Sequence, residues 1–284
     1  MESNWSDMIP GGYWMYKLLL VSDQEEVLSA FAQVDNWELL GFKQPHIRHD
    51  FEGAKDSLAK HHADGISIAV NPEEEELILA YLQEKFPNVS IFEAGRNKDE
   101  VLRYLNELKV LLNRLHADFY NDRSNYTDVL QLCRHEYFRK VINGRVHSSA
   151  DLHRNMRLLR SRMDADRPCL LIEIEQSAPK DKLEGRWPFD SDRLEVALRT
   201  SFAGDLNGIH ILPTIHSDGR ILVLACPLHG IDNDMTVDMM TAMLTNYTAD
   251  CIEHMKEYVG LELHIIGIRV FPALTAMCEN TDQA

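Results

Sequence analysis

The feature that most constrains this chain is the alternation of short apolar runs with helix-patterned stretches in its N-terminal third. Tyr16-Lys17-Leu18-Leu19-Leu20-Val21, Gly65-Ile66-Ser67-Ile68-Ala69-Val70 and Val89-Ser90-Ile91-Phe92 each have the length of one buried strand. Between the first two, Val27, Leu28, Phe31 and Val34 fall at helical spacing, and Asp50 to His62 reads as a second helix. Asn71-Pro72 opens a third helix that runs to about Phe86. Proline suits a first helical turn, and Glu73 to Glu76 favour the positive end of the helix dipole. Strands separated by helices build a parallel sheet with helices on both faces.

After Ala94-Gly95 the pattern changes. Arg96-Asn97-Lys98 reads as a helix entry, and Val101, Leu105, Leu108, Leu112 and Leu115 then recur at intervals of 4, 3, 4 and 3. That is the a/d repeat of a two-stranded coiled coil, so these five residues are candidates for a seam between two copies of the chain. The other reading is an amphipathic helix packed on its own sheet, which needs only one apolar face; Leu102 and Val110 broaden that face. Asp128 to Val141 and Ser149 to Met163 continue as helices around Asn143-Gly144. From Cys169 a different order begins. The strand Cys169 to Glu175 and the helix Asp190 to Ala203 come first. A hairpin of Ile209 to Ile215 and Arg220 to Ala225 follows, turning at Asp218-Gly219, and then the helix Met235 to Val259 and the strand Leu261 to Phe271. Strand, helix, hairpin, helix, strand is the ferredoxin-like plan.

Charge narrows the partners. The net charge of −16 is unevenly spread: residues 1–110 carry −10, residues 111–168 carry +4 and residues 169–284 carry −10. Duplex DNA requires clustered positive charge, which neither acidic block offers. The basic segment, with Arg154, Arg157, Arg160 and Arg162, is either an anion-facing surface or a complement to the chain's own acidic blocks. Cys133, Cys169, Cys226, Cys251 and Cys278 stand singly, which argues against a zinc site or a disulfide framework. With no apolar run long enough to span a bilayer and no signal-peptide pattern, a cytoplasmic protein without membrane contact is expected.

The segments MYKLLLVSDQEEVLSAF, DNWELLGFKQP and DFEGAKDSLAKHHADGISIAV resemble the receiver domain of YesN-type, AraC-class two-component response regulators. The stretch Asp35-Asn36-Trp37-Glu38-Leu39-Leu40-Gly41-Phe42 is the most specific part. RPCLLIEIEQ and LELHIIGIRVF resemble the middle domain of the same regulators, a decayed GGDEF domain. The resemblance implies an α/β protein with an extension at 1–14 and a flavodoxin-like, doubly wound domain at 15–97. A coiled-coil or helical connector at 98–168 and a GGDEF-like ferredoxin-fold domain at 169–284 would follow. It also implies a phosphorylation site at the strand ends, and here the expected residues are gone. The acidic pair that would hold Mg²⁺ is Ser22-Asp23, the acceptor aspartate position is Ala69, and the Thr/Ser position is Glu93. The stretch for a fourth helix, a fifth strand and a lysine is largely missing, and Lys98 is a poor substitute. The expectation is a pseudo-receiver without catalysis or cofactor. It would act as a homodimer and through contacts with a partner signalling protein or a histidine kinase.

In the second domain Glu173 and Glu175 share one strand face and would suit a ligand or a two-metal site. The hairpin His216-Ser217-Asp218-Gly219-Arg220 lacks the glycine pair a cyclase needs, so two strand-end glutamates in solvent are expected instead. The histidines, His61-His62, His210 and His216 among them, form no metal-binding spacing. A sensor that binds a nucleotide or metabolite through this domain is the alternative reading. The resemblance would also place helix-turn-helix units after the middle domain. The sequence stops at Ala284 without them. Either the natural protein lacks them or this is a trimmed piece, and the chain alone is expected not to bind DNA specifically.

Overall fold

In the computed structural model, which describes residues 15–121, 126–176, 191–202, 204–216, 218–231 and 235–279, the chain divides into two units. Residues 1–134 and 154–161 form one; residues 135–153 and 162–284 form the other. The extension 1–14 and most of the loop Gln176 to Asp190 lie outside the described residues. The fold is mixed α/β, with one parallel and one antiparallel sheet. Within 98–168, residues 98–134 and 154–161 belong to the first unit and residues 135–153 and 162–168 to the second.

The first unit runs β1 (Leu18–Ser22), α1 (Glu25–Ala32), α2 (Trp37–Leu40), β2 (His46–Arg48), α3 (Phe51–Lys60), β3 (Gly65–Ala69), α4 (Pro72–Lys85), β4 (Ser90–Phe92) and α5 (Lys98–Asn121). Its sheet has the order β2-β1-β3-β4, all parallel. β1, β3 and β4 are buried on both sides because both faces are covered, while β2 at the edge is largely exposed. Leu19, Val21, Ile66, Ile68 and Ile91 meet Ala54 and Leu58 of α3 and Ile78 and Leu82 of α4. Helix starts carry their own side-chain caps. Asp50 accepts from the Gly53 N–H at 2.7 Å, and Asn71 accepts from the Glu74 N–H at 3.0 Å. Asn97 accepts from the Glu100 N–H at 3.0 Å, while the Glu100 carboxylate accepts from the Arg96 N–H at 2.9 Å. The short helix α2 has no counterpart among the sequence patterns, and β2 follows the Asp35–Phe42 segment without a period of its own. At three or four residues they are too brief to show a period.

Helix α5 settles the leucine repeat. Val101, Leu105, Leu108, Leu112 and Leu115 are each at most 1% exposed within a single chain. The helix packs against α1 and β4 and lies close over β3. A Cβ at Gly65 would sit 2.6 Å from the Leu108 Cδ2, so only glycine lets the helix approach. Tyr16 donates to Asn113 Oδ1 at 2.8 Å and anchors the far end. The five residues proposed as an intermolecular seam are therefore a core face of their own unit. A 4-3-4-3 stripe is blind to whether the surface it meets belongs to the same chain.

The second unit runs from part of α6 (Tyr126–Ile142) and α7 (Ser149–Leu158) through β5 (Cys169–Gln176), α8 (Ser191–Phe202) and β6 (Gly204–Leu206). It continues with β7 (Ile209–Ile215), β8 (Ile221–Pro227), α9 (Val237–His254), β9 (Leu263–Phe271) and α10 (Ala276–Glu279). The sheet order is β6-β7-β8-β5-β9, antiparallel throughout. Leu170, Ile172, Ile174, Ile211 and Val223 pack under Leu198 and Phe202 of α8 and Leu244 of α9. The hairpin turns where Asp218-Gly219 signals it: Gly219 has φ +90°, and its N–H donates to His216 O at 3.0 Å. Helix α9 ends in a π-helical turn, Met255–Val259, closed by Gly260 at φ +75°. Among the described residues no helix is long and apolar enough to cross a membrane.

Candidate functional site

In a parallel sheet with crossover helices, ligand sites form at the carboxyl ends of the strands. Here that edge brings the four expected site residues into one region. Ser22 ends β1 and Ala69 ends β3, and the two are direct partners in the parallel register. Ser22 is fully buried. Its hydroxyl accepts from the Gln24 N–H at 3.1 Å, and His49 Nδ1 lies 2.8 Å from its carbonyl oxygen. Asp23 follows, exposed. Ala69 ends β3 with a methyl group and no nucleophilic atom.

Glu93, just past β4, is occupied. Arg157 Nη1 stands 3.6 Å from its carboxylate, and the same guanidinium pairs with Glu75 of α4. Lys98 turns away and pairs with Asp35 at 2.9 Å, so it does not join the strand ends. At this edge Asp23 is exposed beside a buried hydroxyl and a methyl group. Arg157 was legible in the sequence only as part of a basic run; its place between two glutamates needed the fold.

The other arginines of that run are also engaged. Arg154 Nε donates to Glu107 at 3.1 Å, and Arg162 lies 3.4 Å from Asp205. Arg160 is buried, with its guanidinium near Gln83 and the Pro87 carbonyl, and burial beside Arg134 and Arg157 pushes it down to about 10. The basic segment thus meets acids and carbonyls of its own chain rather than forming a bare cationic face.

In the second unit Glu173 and Glu175 lie on the sheet face away from Ile172 and Ile174, as alternation requires. They do not share an environment. The Glu173 side chain is only 14% exposed, and it accepts from Arg220 Nη1 and Arg269 Nε, both at 2.7 Å. Arg220 also grips Asp218 across the turn, which holds that carboxyl far below its usual range. Glu175 is open, with His264 3.7 Å away. Glu173 is therefore not the solvent-facing strand end expected, because two arginines from β9 and the hairpin neutralise it. Among the described residues no three His, Cys, Asp or Glu side chains converge as a metal ion requires.

His135 of α6 is a buried titratable group of this unit. Its Nε2 lies 2.7 Å from the Pro213 carbonyl and its Nδ1 lies 3.2 Å from Glu195. Burial pushes the imidazole below its ordinary value; Arg199 and Arg139 act the same way, and the Pro213 carbonyl and Glu195 oppose them. The unfolded chain then binds a proton that the folded unit refuses. The resulting stability is present above the ordinary histidine value and is lost as pH falls from there toward the lowered folded value. The melting temperature of this unit should drop between about pH 7.5 and about pH 5. His135→Gln should flatten the drop, as calorimetry on both proteins would show; an unchanged slope would mean that His135 does not carry it.

No family model matches the chain. No curated protein shows significant similarity to it either.

Proposed function

We propose that this chain is a non-catalytic signal-transduction regulator related to YesN-type response regulators, acting through protein contacts without aspartyl phosphorylation. The observation that carries the reading is Ala69. It ends the central strand β3, beside the end of β1, where the resemblance puts the phosphoryl acceptor. The strand order β2-β1-β3-β4 fits a flavodoxin-like sheet that stops one strand short. The run from β4 through Gly95 into α5 leaves no room for that strand. The order β7-β8-β5-β9 fits the ferredoxin-like plan, extended by β6. On this reading the second unit is a decayed GGDEF-like domain, and Glu173 has passed from metal chemistry to an ion pair with Arg220 and Arg269. The partner would be another signalling protein, a histidine kinase among the candidates.

Phosphoryl transfer to an aspartate needs a nucleophilic carboxylate and a metal held by neighbouring acids. Intact-mass spectrometry after treatment with acetyl phosphate and Mg²⁺ should therefore find no adduct of phosphoryl mass. Beryllofluoride should leave the melting temperature unchanged. An adduct that disappears on Asp23→Ala would overturn the proposal.

A further inference from the structure

Two of the cysteines, far apart in sequence, meet in the second unit. Cys169 opens β5, and Cys226 stands next to the end of β8. In the antiparallel register Leu171 pairs with Leu224 and Leu170 with Ala225, so the next step sets Cys169 opposite Cys226. Side chains directly opposite in a sheet lie on the same face. Leu170 and Ala225 belong to the core under α8 and α9, so both thiols point to the other face. Neither cysteine has any exposed surface, and their thiols are hydrogen-bonded to each other. Cys251, by contrast, donates to the Ser201 carbonyl oxygen at 3.1 Å.

Opposite residues of an antiparallel pair have Cα atoms about 4.5–5.5 Å apart, inside the roughly 4.4–6.8 Å that a disulfide spans. The two sulfurs can therefore join with the strands where they are. Among the described residues no third His, Cys, Asp or Glu completes a metal site with them. Joint oxidation is the chemistry that suits two touching thiols. Burial, the Cys169 thiol and the Asp164 carboxylate push the Cys226 thiol well above its ordinary range. The thiolate is the nucleophile, so the folded pair resists casual oxidation. Both residues lie at one end of the β5–β8 ladder, where local opening admits a small oxidant first.

We propose that Cys169 and Cys226 form an oxidation site, which a hydroperoxide converts into a cross-strand disulfide locking β5 to β8. One thiolate attacks a peroxide oxygen, the O–O bond breaks, and the departing oxygen leaves as water with the proton that the thiol released. The sulfenic acid so formed is attacked by the second thiol. Its S–O bond breaks, the S–S bond forms, and a second water leaves. With hydrogen peroxide, two thiols give up two electrons and two protons, and the peroxide becomes two waters. The bond ties the β6-β7-β8 half of the sheet to the β5-β9 half. This inference does not depend on the regulatory reading above.

The full chain, treated with hydrogen peroxide, quenched with catalase and then unfolded in an alkylating agent, tests the site. Wild type should lose two alkylatable thiols, and Cys169 and Cys226 should be recovered in one linked peptide. A disulfide closing a long loop should raise the melting temperature of the second unit by roughly 5 °C or more. Dithiothreitol should reverse both changes, which separates them from methionine sulfoxide, repaired only by its own reductases. Cys169→Ala and Cys226→Ala should each abolish the rise, and the wild-type peptide map decides the site even if these variants fold poorly. Alkylation of all five cysteines after oxidation, a link between any other pair, or sulfinic acid at either position without a link would overturn the site. A Cys169–Cys226 link that leaves the melting temperature unchanged would overturn the lock.

Discussion

Leu105→Asp combined with Leu112→Asp should unfold the N-terminal unit. Both leucines are buried within one chain, under the same helix whose Leu108 rests on Gly65. Burial of each contributes about 1.5–3 kcal/mol, and truncation in a packed core costs about 2–5 kcal/mol once the cavity is counted. A carboxylate at the same place adds desolvation to that loss. Two such changes match or exceed the roughly 5–15 kcal/mol that holds an ordinary domain together. Circular dichroism should show lost helix and urea titration should lose the first unit's cooperative transition, while the second unit keeps its own. A variant that keeps the wild-type spectrum and urea midpoint but sediments as a monomer where wild type is a dimer would restore the leucine seam.

Gly65→Ala should be costly for a residue change of one methyl group, and Leu108→Ala should offset part of it. The added Cβ would lie 2.6 Å from Leu108 Cδ2 and 3.3 Å from Leu18 Cδ2. Leu108 is fully buried, so it cannot swing into solvent, and the helix or the strand must shift. Overpacking of this kind costs about 1–3 kcal/mol, and Leu108→Ala alone costs about 2–5 kcal/mol as a cavity. In the double variant the new methyl group occupies part of the space that Leu108 leaves. The combined loss should fall short of the sum by about 0.5–3 kcal/mol, read from urea midpoints of the four proteins. Strict additivity would mean that α5 does not rest on β3.

Several features were legible without the fold because they are local. Strand runs such as Leu18 to Val21 and Ile66 to Ile68, the caps at Asp50, Asn71 and Asn97, and the Asp218-Gly219 turn depend on residues within one helical turn or one hairpin. That Ala69 puts a methyl group at a strand end is a matter of residue type, and it too can be read along the chain.

The sequence by itself determined the order of the longer elements and the residue types at the strand ends, because period, capping and residue identity are short-range properties. Only the tertiary structure decided what each apolar stripe and charge meets. The repeat from Val101 to Leu115 specifies a buried face but not its owner, and the sheet of the same chain claims it because Gly65 leaves the helix a seat. Glu173 is one glutamate inside β5, whereas its two arginines come from residues 47 and 96 positions further along. Strand β9 reads as any other apolar strand until the sheet order puts it at the rim with Ile266 and Val270 in solvent. Partners so far apart in sequence are chosen by packing and long-range electrostatics, which no local pattern encodes.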